Sequence, residues 1–177
     1  ENHDLERLSL LITTNATRKL QRNIHLGAPG TGLVEQTYTS LLSAIGPALS
    51  DTCTKFLCFD RPAEPGAVDR QYEDNLKAFA DRFGFTFHVS DHCGLRDAVR
   101  AMVDRLQTPY LMLLEHDWRF LQFPPHLGRL IHLFDIAPHI HAVRFNKRSN
   151  RISNFDFLLS TEQAAGGLPL LRTPCHS

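Results

Sequence analysis

Four short apolar runs, each separated from the next by a stretch with helical spacing, constrain this chain more than any other feature. Leu8-Ser9-Leu10-Leu11-Ile12, Lys55 to Phe59, Phe85 to Val89 and Tyr110 to Leu114 read as strands. Val34 to Ile45 reads as a helix with Leu41, Leu42 and Ile45 inward, closed by Gly46-Pro47. Tyr72 to Phe83 puts Tyr72, Leu76, Phe79, Ala80 and Phe83 on one face and stops at Gly84. Leu95, Ala98, Val99, Met102, Val103 and Leu106 form the clearest helical stripe, with Arg96, Arg100 and Arg105 off it and Thr108-Pro109 ending it. Strands alternating with helices require parallel pairing through helical crossovers. The expected fold is therefore α/β, a Rossmann-like three-layer sandwich around a mostly parallel sheet. Tyr110 to Leu114, five apolar residues in a row, predicts a central strand covered on both faces. Pro124-Pro125 opens another helix with Leu127, Leu130, Ile131 and Phe134 inward, and Ala142 to Phe145 and Phe155 to Leu159 read as further strands.

A chain of 177 residues fits one domain, 1–177. Both ends look cut, and the expectation is a domain truncated at its C-terminus, part of a longer protein. Nineteen basic against nineteen acidic residues leave no net charge. That argues against a generic nucleic-acid binder and against a polybasic membrane-surface protein. No apolar run reaches the roughly 20 residues of a membrane span. Cys53, Cys58, Cys93 and Cys175 show no C-x-x-C pair and no disulfide framework. Reduced thiols and a cytoplasmic location are the expectation.

In parallel sheets ligands sit beyond the carboxyl ends of the strands. Those ends are Thr13-Thr14-Asn15, Asp60-Arg61, Ser90-Asp91 and Glu115-His116-Asp117. In an extended segment residues two apart share a side, so Glu115 and Asp117 would converge while His116 points away. Two carboxylates at an exposed strand end make a hard-oxygen site for Mg²⁺ or Mn²⁺, which would bridge to phosphate oxygens. The plainer alternative is polar residues leaving the sheet.

The order of elements over Leu8 to Arg148 resembles the GT-A glycosyltransferases, nucleotide-sugar-dependent enzymes that include family 2. Thr108 to Asp117 is similar to the strand leading into that family's D-x-D motif, with Glu115 in place of the first Asp. The resemblance implies a nucleotide-diphospho-sugar donor, an acceptor that is a glycan, lipid or protein, and Mn²⁺ or Mg²⁺ as cofactor. It implies Asp117 as metal ligand, and Glu115 as ligand or ribose partner. It implies Thr13, Thr14 and Asn15 at the base, Asp60 at base or ribose, and Arg96 near the diphosphate. For Thr13, Thr14, Asn15 and Asp60 simple turn chemistry is the alternative, and for Arg96 an exposed helix charge. No general base is assignable among the downstream carboxylates Asp135, Asp156 and Glu162, so inversion and retention both stay open. The alternative function is a non-catalytic nucleotide- or sugar-binding domain of a larger protein.

Other features carry less. Gly27-Ala28-Pro29-Gly30-Thr31-Gly32 has P-loop glycine spacing, yet Leu33 and Val34 stand where Lys and Ser/Thr are needed. His139 and His141, with His116 or His132, form a weak zinc pattern. Arg144, Lys147, Arg148 and Arg151 are loop charge or an anion-closing patch. Trp118 and Phe120 are core or a sugar-ring wall. Cys93 beside His92 has no inferable triad.

Overall fold

A computed structural model describes residues 2–15, 30–91, 93–121, 127–143, 160–163 and 169–172. The chain divides into two compact units, Glu1–Pro124 and Pro125–Ser177. The first holds α1 (Asn2–Leu5), β1 (Leu8–Asn15), α2 (Gly32–Ile45), α3 (Ala48–Thr52), β2 (Thr54–Arg61), α4 (Ala67–Phe83), β3 (Thr86–Asp91), α5 (Gly94–Val103) and β4 (Tyr110–Glu115). The second holds α6 (Leu127–Ile136) and an antiparallel pair, β5 (Ser160–Gln163) with β6 (Pro169–Arg172). In α6 the buried residues are Leu127, Leu130, Ile131 and Leu133, so Leu133 takes the place expected of Phe134. Ala142 and Val143 are not strand, and the remainder of the two predicted late strands lies outside the described residues.

The four strands of the first unit are all parallel, in the order β3-β2-β1-β4. The fold is α/β, as the alternation of runs predicts. The chain moves from β1 to β2 to β3 in one direction across the sheet, then jumps back past both to place β4 beside β1. Right-handed crossovers require the helices to change face when the direction reverses. They do: α2 and α4 cover one face and α5 the other, giving three layers.

Burial explains why each face holds. Leu10, Ile12, Leu57, Phe59, Met112 and Leu114 are buried on the α2/α4 face, under Tyr38, Tyr72, Leu76 and Phe79. Tyr72 meets Phe59 edge-on with ring centroids 5.6 Å apart, and Tyr38 meets Phe85 likewise at 4.9 Å. Tyr72 donates to or accepts from Thr14 at 2.7 Å, and burial pushes its phenol up to about 12. On the other face Leu11, Cys58, Ala98 and Met102 form the core, with Phe56, Val99 and Leu111 packed against it.

Four elements of the first unit differ from expectation. Helix α2 buries Val34, Thr37, Tyr38 and Leu41, while Leu42 and Ile45, expected inward, are half-buried. Helix α4 starts at Ala67, five residues before the first inward aromatic, because the Asp69 carboxylate accepts the Gly66 N–H at 2.8 Å and stabilises the helix start. Its other end matches: Gly84 takes a left-handed φ of +70° that suits glycine. Helix α5 ends at Val103, leaving Leu106 outside, and Leu95 and Val103 are exposed members of its stripe. Strand β4 is an edge strand among the described residues, not a central one. Met112 and Leu114 are buried, whereas Leu113 on the other face is 40% exposed. Helix α5 lies over β2 and β1 on that face, and a run of apolar letters does not say how far a covering helix reaches.

Candidate functional site

The strand order reverses between β1 and β4, since β1 continues toward β2 on one side and β4 is reached from β3 on the other. In parallel α/β sheets ligands bind beyond the carboxyl ends of the strands at such a switch point; here the segment leaving β4 turns onto α2, the helix that follows β1. Register places Thr13 opposite Glu115 and Asn15 opposite Asp60. Two of the strand ends singled out in the sequence, Thr13-Thr14-Asn15 and Glu115-His116-Asp117, thus lie side by side at the carboxyl edge of the sheet.

Strand β4 stops at Glu115. The next residues turn rather than extend, with Trp118 N–H donating to the Glu115 carbonyl at 3.3 Å. The extended geometry expected to converge Glu115 and Asp117 is therefore absent; their relation is set by a turn. Glu115 is exposed, His116 is buried, and Asp117 is half-buried. The opposed orientation of Glu115 and His116 matches the pleat, since His116 N–H still bonds the Thr13 carbonyl at 3.0 Å.

The β1 residues divide by role. Thr13 is buried and donates to the Leu114 carbonyl at 3.3 Å. Thr14 is buried against Tyr72. Asn15 alone of the three is half-buried. Asp60 fastens the start of α5: one carboxylate oxygen accepts Cys93 N–H at 3.1 Å and the Ser90 hydroxyl at 3.4 Å, and the other accepts Gly94 N–H at 3.1 Å. A carboxylate at a helix start satisfies orphan donors and favours the helix dipole. The Cys93 thiol is a further donor 3.9 Å from the first oxygen, so four donors face the about four lone-pair positions of the carboxylate. Asp60 on β2 and Glu115 on β4 are separated by β1 and by two positions of register, roughly 12 Å at ordinary strand geometry. They are too far apart for one cation and within reach of one nucleotide. Arg61 pairs with Asp91 at 3.0 Å through Nε, and Asp91 beside it pushes the guanidinium further up. Arg96 is 91% exposed and pairs with its neighbour Asp97 at 3.2 Å, on the solvent side of α5.

Among the described residues no group of three or more His, Cys, Asp and Glu side chains is arranged to hold a metal. Magnesium-type ions bound together with a phosphate ligand need only one or two protein carboxylates, the remainder being water and phosphate. Glu115 and Asp117 would suffice in number for that shared kind of site and not for an all-protein cage. His132, His139 and His141 are exposed, and Asp135 is exposed on α6. Gly30 and Thr31 precede α2, which opens at Gly32. His92, Asp156, Cys175 and the basic residues Arg144, Lys147, Arg148 and Arg151 lie outside the described residues. Cys53, Cys58 and Cys93 are free thiols, with Cys53 pushed up to about 11 and Cys58 raised as well, both by burial. Trp118 and Phe120 contact each other at 6.2 Å between ring centroids. Among the described residues no helix is long and apolar enough to cross a membrane.

Sequence reasoning missed Thr37 and Ser40 of α2. Thr37 Oγ1 lies 2.7 Å from both the His116 and the Trp118 carbonyls, and Phe120 N–H donates to Ser40 Oγ at 3.0 Å. A buried threonine inside a helix gives no signal in the sequence that its hydroxyl serves a distant turn.

The fold defines the class: an α/β protein whose parallel sheet reverses its strand order between β1 and β4. Against protein-family models, curated proteins and solved structures alike, the chain gives no match.

Proposed function

We propose that the chain binds a nucleotide-diphospho-sugar beyond the carboxyl ends of β1 and β4 and transfers its sugar to an acceptor. The observation that carries this reading is the juxtaposition of the β1 end with Glu115-His116-Asp117 at the switch point. Asn15, the half-buried member of its trio, hydrogen-bonds the base, and Asp60, across β1 from Glu115, meets the base or ribose. Asp117 and Glu115 hold Mn²⁺ or Mg²⁺, which when bound supplies charge neutralisation for the departing nucleoside diphosphate. Half-burial of Asp117 strengthens its field, because a charge shielded from water is less screened. Arg96, fully in solvent, contributes long-range attraction for an anionic donor rather than a directed bond.

A second reading, binding without transfer, is favoured by one observation: Asp60, Thr13 and Thr14 spend hydrogen-bonding capacity inside the fold. Thermal unfolding with ribonucleoside diphosphates, with Mn²⁺ and with EDTA tests the site. Stabilisation requiring both nucleotide and metal, lost in Asp117→Ala, is expected. Release of free nucleoside diphosphate from a nucleotide sugar then separates the two readings. Metal-dependent binding that never yields free nucleotide would leave only the second, and stabilisation indifferent to EDTA would sink the metal assignment.

A further inference from the structure

We infer that Thr37, seconded by Ser40, is the positioning residue that presents Asp117 at the carboxyl edge of the sheet; its relevance to ligand binding rests on the reading above. Thr39 and Thr52 show what a helical threonine ordinarily does, each donating to its own carbonyl four residues back, Glu35 and Ala48, at 2.7 Å. Thr37 does not. Its side chain is fully buried, and its single hydroxyl proton is shared between the carbonyls of His116 and Trp118, 79 and 81 residues away. Those two residues bracket Asp117. His116 is also held to β1 through Thr13, Trp118 closes the turn on Glu115, and Phe120 is tied to Ser40. The backbone on both sides of Asp117 is thereby fixed from α2, β1 and β4 at once. Because α2 belongs to the connection leaving β1, the hydroxyl joins the two chain segments that leave β1 and β4. Their spacing is set before any ligand arrives, which is the condition for a preorganised site.

Trp118 is the only tryptophan of the chain, so its fluorescence reports this turn without any ligand. In metal-free protein, Thr37→Val, which keeps the shape and removes the hydroxyl, is expected to red-shift Trp118 emission and open it to acrylamide. Far-UV circular dichroism stays unchanged. Thr37→Ser is expected to behave as wild type, and Ser40→Ala to give a smaller shift. Titration with Mn²⁺, read by the same fluorophore, is expected to weaken about tenfold or more in Thr37→Val and to recover in Thr37→Ser, as for other residues that orient metal ligands. Wild-type emission and shielding in both Thr37→Val and Ser40→Ala overturns the proposal. So does a Thr37→Ser variant as perturbed as Thr37→Val. If Thr37→Val fails to fold, Ser40→Ala decides, and unchanged shielding there overturns it. A wild-type protein indifferent to Mn²⁺ refutes the cation site, while the metal-free measurement still judges the positioning role.

Discussion

The sheet face carrying Leu10, Leu57 and Phe59 lies under two helices, α2 and α4; among the described residues the face carrying Leu11, Phe56 and Cys58 lies under α5. The first face is aromatic. Tyr38, Phe79, Phe83 and Phe85 meet ring to ring, with Phe79 4.7 Å from Phe83 and 5.6 Å from Phe85. The second is built on Leu11, Cys58, Ala98 and Met102, with one ring, Phe56, packed against them. Aromatic rings each remove about 150–250 Å² from water and add edge-to-face attraction. The two-helix face therefore carries most of the stability. The other carries Asp60, Ser90, Glu115 and the start of α5, polar groups whose order depends on hydrogen bonds more than on packing.

Truncating each face measures this difference most directly. Phe79→Ala should lose about 4 kcal/mol, because rigid neighbouring rings cannot close the cavity. Met102→Ala should lose about 2 kcal/mol, at the low end for such changes, because α5 can settle toward the sheet. Urea unfolding monitored by circular dichroism checks both; equal losses would break the contrast. Next in size is Asp60→Asn. The amide can accept one of the two backbone N–H groups but sets a donor against the other, costing about 2 kcal/mol through a lost charge-assisted bond. Amide hydrogen exchange should quicken at Cys93 and Gly94 and stay unchanged in α4. Uniform quickening would show that Asp60 does not act on α5 alone.

The smallest effect concerns pH. His88 on β3 accepts from Arg105 just past α5, with Nδ1 2.8 Å from the guanidinium. Partial burial, then the Arg105 charge, lower its pKa from the ordinary 6.5. The unfolded chain thus binds this proton more readily than the folded one. The contribution is full above pH 6.5 and is lost as pH falls through the lowered value. His88→Gln should flatten this part of the urea-midpoint profile between pH 8 and 5. A profile with the same slope in the variant would remove His88 as its source.

Periodicity made most of the first unit legible. Leu76, Phe79 and Ala80 face the sheet because helical spacing put them on one stripe, and Gly84 ended the helix because it accepts a left-handed turn. Other features lay outside that signal. Leu95 and Val103 read as core on α5 but are exposed, since a stripe says which side of a helix is apolar and not how much of it is covered. The start of α4 at Ala67 was hidden because its first turn is held by Asp69 rather than by an apolar anchor. At the carboxyl edge of the sheet, Asn15, Asp60, Glu115 and Asp117 were legible as polar residues at or just past strand ends. Their roles were not, because Asp60 turns to α5 and Asp117 sits in a turn held by α2.

By itself the sequence determined the α/β class, the parallel pairing and the polar strand ends, for one physical reason: local apolar spacing chooses helix or strand, and their alternation requires crossovers. Strand order was decided only in three dimensions, where β4 passed β3 and β2 to pair with β1. Among the described residues that choice made an edge strand of the Tyr110–Leu114 run, brought the ends of β1 and β4 together, and carried Thr37 to the turn at Asp117. Contacts between residues 79 positions apart depend on how elements dock, which no local pattern encodes.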